Sequence, residues 1–157
     1  MNKEKTNRVL EYFDELFPDA YCELNHESDF QLLVAVMLSA QTTDKKVNQL
    51  TENLFKKYPT VEAVSQASLP ELEQDIKTIG LYRNKAKNLL ALSHVLIEQF
   101  DGIVPSDQKQ LESLPGVGRK TANVVVSVLF GTPAIAVDTH VFRVSNRLKL
   151  GIAKTPE

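Results

Sequence analysis

The sequence predicts an all-α fold, an irregular multi-helix bundle, and three observations carry that prediction. Apolar residues recur at helical spacing nearly throughout. No stretch of comparable length alternates in the period-two manner of a strand. The interruptions are short and carry helix-boundary chemistry. With 157 residues, of which 43% are hydrophobic, the chain is long enough for one or two small packed units and too apolar for a disordered segment.

Taken in order, the opening MNKEKTNRVLEYF is a charged amphipathic pattern whose stripe is Val9, Phe13 and Leu16 with Phe17; it lacks the apolar core of a signal peptide. Phe30, Leu33, Val34, Met37 and Leu38 form a second stripe. Boundaries fall at Pro18-Asp19, Thr42-Thr43-Asp44, Tyr58-Pro59-Thr60, Leu69-Pro70, Ile79-Gly80, Val104-Pro105-Ser106-Asp107, Pro115-Gly116 and Gly131-Thr132-Pro133, which together delimit about nine or ten helices. Leu89, Leu92, Leu96 and Phe100 mark a longer helix ending near Asp101-Gly102. SDQKQLESL reads as a short helix capped by Ser106 or Asp107, and RKTANVVVSVLF as the next. Residues 138 to 150 read as a helix facing a core through Val141, Phe142, Val144 and Leu148. Thr155-Pro156-Glu157 resembles the start of another helix, so the chain is expected to be a fragment.

No run reaches the eighteen or so apolar residues that span a bilayer, and the chain reads as intracellular, with no membrane partner. Cys22 is the one cysteine; it excludes an internal disulfide and is expected in the core, and no Cys or His cluster has metal-ligand spacing. The net charge of −2 argues mildly against nucleic acid, but the average conceals an asymmetry. Residues 1 to 75 hold 7 Lys or Arg against 14 Asp or Glu, and residues 76 to 157 hold 11 against 6. The basic half contains LPGVGRK, residues 114 to 120.

Two helices joined by Gly-x-Gly expose backbone N–H groups at the start of the second. Gly116 and Gly118 can take positive φ and let an oxyanion approach without meeting a Cβ. Such a site suits a phosphate, and contacts of this kind position a protein on nucleic acid without reading sequence. Pro-Gly-x-Gly alone is equally well a tight turn between core helices. The full run LPGVGRKTANVVVSVLF is more specific. It resembles the helix-hairpin-helix of the DNA glycosylase superfamily, specifically the endonuclease III family, and LLVAVMLSAQTTDKKVN, IGLYRNKAKNL and VDTHVFRVSNRL agree in order and spacing from about residue 8 onward.

The resemblance implies a six-helix domain at 21–133 containing the hairpin at about 107–130, with 1–20 and 134–157 as parts of a second half-domain that is incomplete after residue 157. It implies a bifunctional DNA glycosylase and abasic-site lyase of base excision repair, removing oxidised pyrimidines from double-stranded DNA with damaged bases or abasic sites. A monomer in the bacterial cytoplasm, associated with the nucleoid, is expected. Lys120 and Asp138 match the catalytic pair, and a lysine at that position separates this family from monofunctional adenine glycosylases. Near neutral pH only about one free lysine in a thousand is an uncharged nucleophile; a helix N-terminus, the neighbouring Arg119 and partial burial would each favour the amine at Lys120. It would attack the sugar C1′, displace the base and form a Schiff base that permits β-elimination. Asp138 before Thr139, His140 and Val141 is a good N-cap by itself, and a carboxylate so held can also stabilise oxocarbenium character at C1′. His140 reads as a structural hydrogen-bonding residue.

Reaching a base inside a duplex requires the nucleotide to leave the stack. From the residues alone Gln41 reads as a helix-terminal polar group and Leu81 as a core leucine; the resemblance implies that both insert into the gap. Gly116, Val117, Gly118, Arg119 and Arg143 are the remaining expected DNA contacts, with Lys45, Arg83, Lys85 and Arg147 as further candidate phosphate contacts; Arg143 and these four each read, taken singly, as a solvated charge. Family members usually carry a 4Fe-4S cluster on four cysteines that would lie beyond Glu157; no metal ligands are expected within residues 1–157. The family's hairpin also holds, in some cases, a monovalent cation on backbone carbonyls. With the cluster segment missing, exposed apolar faces and reduced stability or DNA affinity are expected. Two other readings remain at this stage: a non-catalytic helix-hairpin-helix DNA-binding module, and an all-α protein-interaction domain.

Overall fold

The computed structural model describes residues 2–156. Among them are nine helices and no strand: α1 (Lys3–Leu16), α2 (Asp29–Leu38), α3 (Asp44–Lys57), α4 (Val61–Ser65), α5 (Leu69–Ile76), α6 (Tyr82–Phe100), α7 (Gln108–Glu112), α8 (Arg119–Phe130) and α9 (Thr139–Leu148). The chain divides into two compact units. One is Glu23–Ile135, with α2 to α8; the other combines the segment ending at Cys22 with the segment beginning at Ala136.

Local chemistry explains most of the boundaries. Asn2, Ser28, Thr43, Thr60, Ser68, Asp107 and Asp138 each precede a helix and accept a first-turn backbone N–H through the side chain. Asp107, rather than Ser106, caps α7, through a 2.9 Å bond from the Gln110 N–H. Ser68 and Glu71 form a reciprocal capping box. Only α6 and α8 begin without a side-chain cap, and both junctions matter below.

In the larger unit, α2 is the centre. The expected stripe is in fact a whole cylinder, because every residue from Phe30 to Leu38 is buried, Gln31 included. A helix apolar on all sides has to be covered on all sides, and α3, α6 and α8 pack against it. The long α6 buries Leu89, Leu92 and Leu96, as their spacing predicts, and α4 and α5 pack on it. Full burial contributes about 1.5–3 kcal/mol for each such side chain.

In the smaller unit apolar faces are exposed, as expected for residues 1–20 and 134–157, but α9 departs from the reading that it faces a core. Neither α1 nor α9 buries a side chain. Val141 and Val144 are exposed, so α9 does not face a core as predicted, and Phe13 and Leu16 of α1, with Phe17 at its C-cap, are exposed too. Periodicity determines which residues share a face but not what covers that face. Cys22 is half-buried rather than a core residue. No helix begins by Pro156, and Glu157, the last residue of the expected helix start, lies outside the described residues.

Two outcomes follow for stability. Leu89→Ala, at a fully buried position of α6, should lower the unfolding free energy in urea by about 3 kcal/mol. Hydrogen bonds from Ser68 hold the Glu71 carboxyl below the usual carboxylate range, so this group's contribution is present above the unfolded value of about 4.3 and is lost as pH falls through the lower folded value. Ser68→Ala should therefore lower the thermal midpoint at neutral pH, with wild type and variant drawing together below about pH 4.

Candidate nucleic-acid interface

Three junctions of the larger unit carry most of the residues singled out by the sequence. The first is the hairpin between α7 and α8. Leu114 and Val117 are buried and anchor it, and the Val117 N–H donates to the Leu114 carbonyl at 3.1 Å. Val117, expected to touch DNA, thus has only its backbone to offer. Gly116 has φ +77°, and a Cβ there would lie 2.8 Å from Asn88 Cβ and 3.1 Å from Met37 Sδ. Glycine is required twice, by the left-handed backbone and by the close approach to α2 and α6. Gly118 differs from expectation: its φ is −92° with extended ψ, and nothing lies within 4 Å of a Cβ built there. Its role is to start α8 without a side chain over the helix end, leaving the N–H groups of Arg119, Lys120 and Thr121 pointing outward.

Lys120 stands on that first turn and is exposed. The partial burial expected for it is therefore absent in the free protein. Arg119 is exposed as well, with its Nε 3.9 Å from Glu112 Oε1, so part of the positive charge beside Lys120 is offset. One turn further on, Asn123 donates to the Ile135 carbonyl at 3.0 Å and ties the end of this unit back to α8.

The second and third junctions follow α2 and precede α6. Among the described residues four non-glycine residues have positive φ: Gln41, Leu81, Asp101 and Lys149. Asp101 and Lys149 are helix C-caps, where a left-handed residue is ordinary. Gln41 and Leu81 are not, and they are the two residues expected to insert into DNA. Both are exposed, Leu81 at 57%, which overturns the reading of Leu81 as a core residue. A leucine held at φ 58°, ψ 27° stores strain of order 1–3 kcal/mol, a kind of outlier concentrated at functional sites.

Lys85 is a clear correction. Expected to meet phosphate, it is instead buried at 6% exposure. Its Nζ donates to the Ala40 carbonyl at 2.7 Å, the Leu38 carbonyl at 2.9 Å and Thr42 Oγ1 at 3.1 Å. Burial pushes its ammonium below the usual lysine range. Helical spacing held a signal for this: Lys85 lies four residues before Leu89, on the stripe that continues through Leu92 and Leu96, whereas Arg83 and Lys87 lie off that stripe and are exposed. Arg83 lies over the Tyr82 ring, 5.2 Å from its centroid, and Lys45 is exposed on the first turn of α3. A cleft of about 310 Å³ bordered by Asn25, Gln31, Asn48 and Phe55 contains none of the predicted site residues.

In the smaller unit Asp138 is the N-cap of α9, its Oδ1 accepting from the Val141 N–H at 2.8 Å. Arg143 and Arg147 are exposed, and Arg143 Nη2 lies 3.5 Å from His140 Nδ1.

A glycine hairpin opening an uncapped helix, with two strained exposed residues at neighbouring helix junctions, is the arrangement of a helix-hairpin-helix protein. The family description that matches residues 34–157 is that of the HhH-GPD superfamily base excision DNA repair proteins. The chain is 57% identical over 148 residues to endonuclease III of Bacillus subtilis (strain 168), covering 94% of this chain and 68% of that one. It superimposes with a TM-score of 0.92 at 55% identity on the protein of a non-covalent endonuclease III–DNA complex, and with 0.93 on that of a trapped endonuclease III–DNA covalent intermediate, covering 97% of this chain and 71% of each of those. The chain belongs to the endonuclease III family. It is accordingly a DNA glycosylase and lyase of base excision repair.

Members of the family generally carry a 4Fe-4S cluster. Such a cluster is held by four thiolates, whereas Cys22 is the one cysteine here, and among the described residues no group of three or more His, Cys, Asp or Glu could hold a metal ion. The residues present do not fit it. No helix among the described residues is long and apolar enough to cross a membrane.

The two hairpin glycines should respond differently. Gly116→Ala should cost about 1–3 kcal/mol of stability through strain and overpacking and weaken duplex binding. Gly118→Ala should cost at most about 1 kcal/mol, the difference in capping preference. Urea titration and fluorescence anisotropy on one labelled duplex measure both effects.

Proposed function

We propose that this enzyme removes oxidised pyrimidines from double-stranded DNA by covalent catalysis through Lys120, with Asp138 as its carboxylate partner. The observation that carries this is the position of Lys120: an exposed amine on the first turn of α8, directly after the hairpin whose glycine-shaped end leaves the helix N–H groups open. A DNA phosphate received on those N–H groups brings the adjoining sugar to the amine. The neutral Lys120 Nζ forms a bond to C1′ as the C1′–N bond to the base breaks and the base departs with a proton. Opening of the sugar ring gives a C1′=N Schiff base. Loss of a C2′ proton then expels the 3′ phosphate, and water hydrolyses the remaining imine to release Lys120.

Asp138, held at the start of α9 by the Val141 N–H, supplies the negative charge that favours a cationic sugar in the transition state. Gln41 and Leu81 fill the gap left by the extruded nucleotide, one hydrogen-bonding the orphaned base and the other wedging into the stack. Gly116, Gly118 and the Val117 backbone, with Arg119 and Arg143, meet the DNA backbone. The protein acts as a monomer in the bacterial cytoplasm on nucleoid DNA.

Borohydride tests the reading, because hydride reduces the imine to a stable secondary amine. Incubation with a duplex bearing thymine glycol or an abasic site should give one protein–DNA adduct, absent with Lys120→Ala. An undiminished adduct in that variant rejects Lys120. Absence of any adduct from wild type, with salt-dependent binding retained, favours a non-catalytic DNA-binding module. Asp138→Asn should keep duplex affinity and lose roughly 10²–10³-fold in single-turnover rate.

A further inference from the structure

The turn carrying Gln41 and the helix starting after Leu81 are joined through one side chain. The Ala40 carbonyl, immediately before Gln41, accepts from Lys85 Nζ at 2.7 Å. The Lys85 backbone N–H donates to the Leu81 carbonyl at 3.0 Å, closing the first turn of α6. Its ammonium also holds the Leu38 carbonyl and Thr42 Oγ1. Leu38 ends α2, so its carbonyl and that of Ala40 have no partner within that helix, and a cation at a helix C-terminus is favourably placed. Each of the three protons of Lys85 Nζ thus has an acceptor, all three on residues 38 to 42.

We infer that Lys85 is a positioning residue that sets the spacing of Gln41 and Leu81, so that the two strained junctions enter the duplex as one rigid element. This rests on the reading of Gln41 and Leu81 as the inserted residues. Each of them sits in a left-handed conformation, which a backbone keeps only when its surroundings over-determine it. The Lys85 bonds supply that constraint on the Gln41 side, and its own helix turn supplies it at Leu81. Lys85 need not touch DNA, since burial keeps its nitrogen inside the protein.

The test uses the whole chain and a duplex with 2-aminopurine opposite an abasic site, whose fluorescence reports disruption of the stack. Lys85→Met keeps the length and apolar stem of the side chain while removing the ammonium, and Thr42→Val removes one acceptor. With folding checked by circular dichroism and affinity for undamaged duplex measured alongside, Lys85→Met should lose most of the 2-aminopurine enhancement. It should also slow single-turnover strand cleavage roughly 10- to 100-fold, the scale of a misplacement of about 1 Å, while binding undamaged duplex within about threefold of wild type. Thr42→Val should show the same pattern at smaller amplitude. A purely structural role would lower undamaged-duplex binding and enhancement together.

Wild-type enhancement in folded Lys85→Met overturns the inference; if that variant does not fold, wild-type enhancement in Thr42→Val overturns it. Gln41→Ala and Leu81→Ala separate this failure from that of the underlying reading. If both leave the enhancement intact, the inserted residues are wrongly assigned; if both abolish it while Lys85→Met does not, only the role of Lys85 falls.

Discussion

The burial of α2 on every side is the constraint from which the larger unit is built. A ten-residue helix with no polar face cannot lie at a surface, so α3, α6 and α8 have to cover it. Its own ends then become costly, because the carbonyls of a buried helix terminus must still find donors. At the C-terminal end the donor is a lysine borrowed from α6. On another side the α7–α8 hairpin comes so near that Gly116 has no room for a side chain against Met37 of α2 and Asn88 of α6. The three junctions of the DNA-facing reading are thus all referred to one buried rod.

That arrangement joins packing to chemistry. Base excision needs a phosphate held, a nucleotide extruded and a nucleophile delivered, within tolerances far tighter than a surface loop provides. Short turns between packed helices meet the requirement, since each turn inherits the rigidity of the helices on either side. The helices without side-chain caps, α6 and α8, are the ones that begin at Leu81 and Gly118. Elsewhere a Ser, Thr, Asn or Asp occupies the helix start; at these two places the chain leaves the end open.

How much of this is legible in the sequence depends on whether a feature is local. Helix boundaries are local, and the caps at Thr43, Thr60, Asp107 and Asp138 follow from residue type and position. The long α6 and the Gly-x-Gly hairpin were legible for the same reason. Burial is not local. Lys85 shares the stripe of Leu89, Leu92 and Leu96, so its place on the buried face could be read from the period, but the acceptors on residues 38 to 42 that satisfy its ammonium there are brought up only by the fold. Val141 and Val144 show the converse, an apolar face drawn correctly and left uncovered. Gly116 and Gly118 are equivalent letters with different demands on φ, and the distinction lies in the approach of α2 and α6.

The strained leucine has a further consequence. A left-handed backbone at residue 81 is easier for glycine or asparagine than for leucine, so the free protein would gain stability by replacing the very side chain assigned to the wedge. Thermal hardiness and lesion processing therefore pull this position in opposite directions. A library of variants screened for heat resistance alone would drift toward glycine at 81, whereas one screened for repair of damaged DNA would, on the proposed role of the wedge, hold the leucine and tolerate the cost.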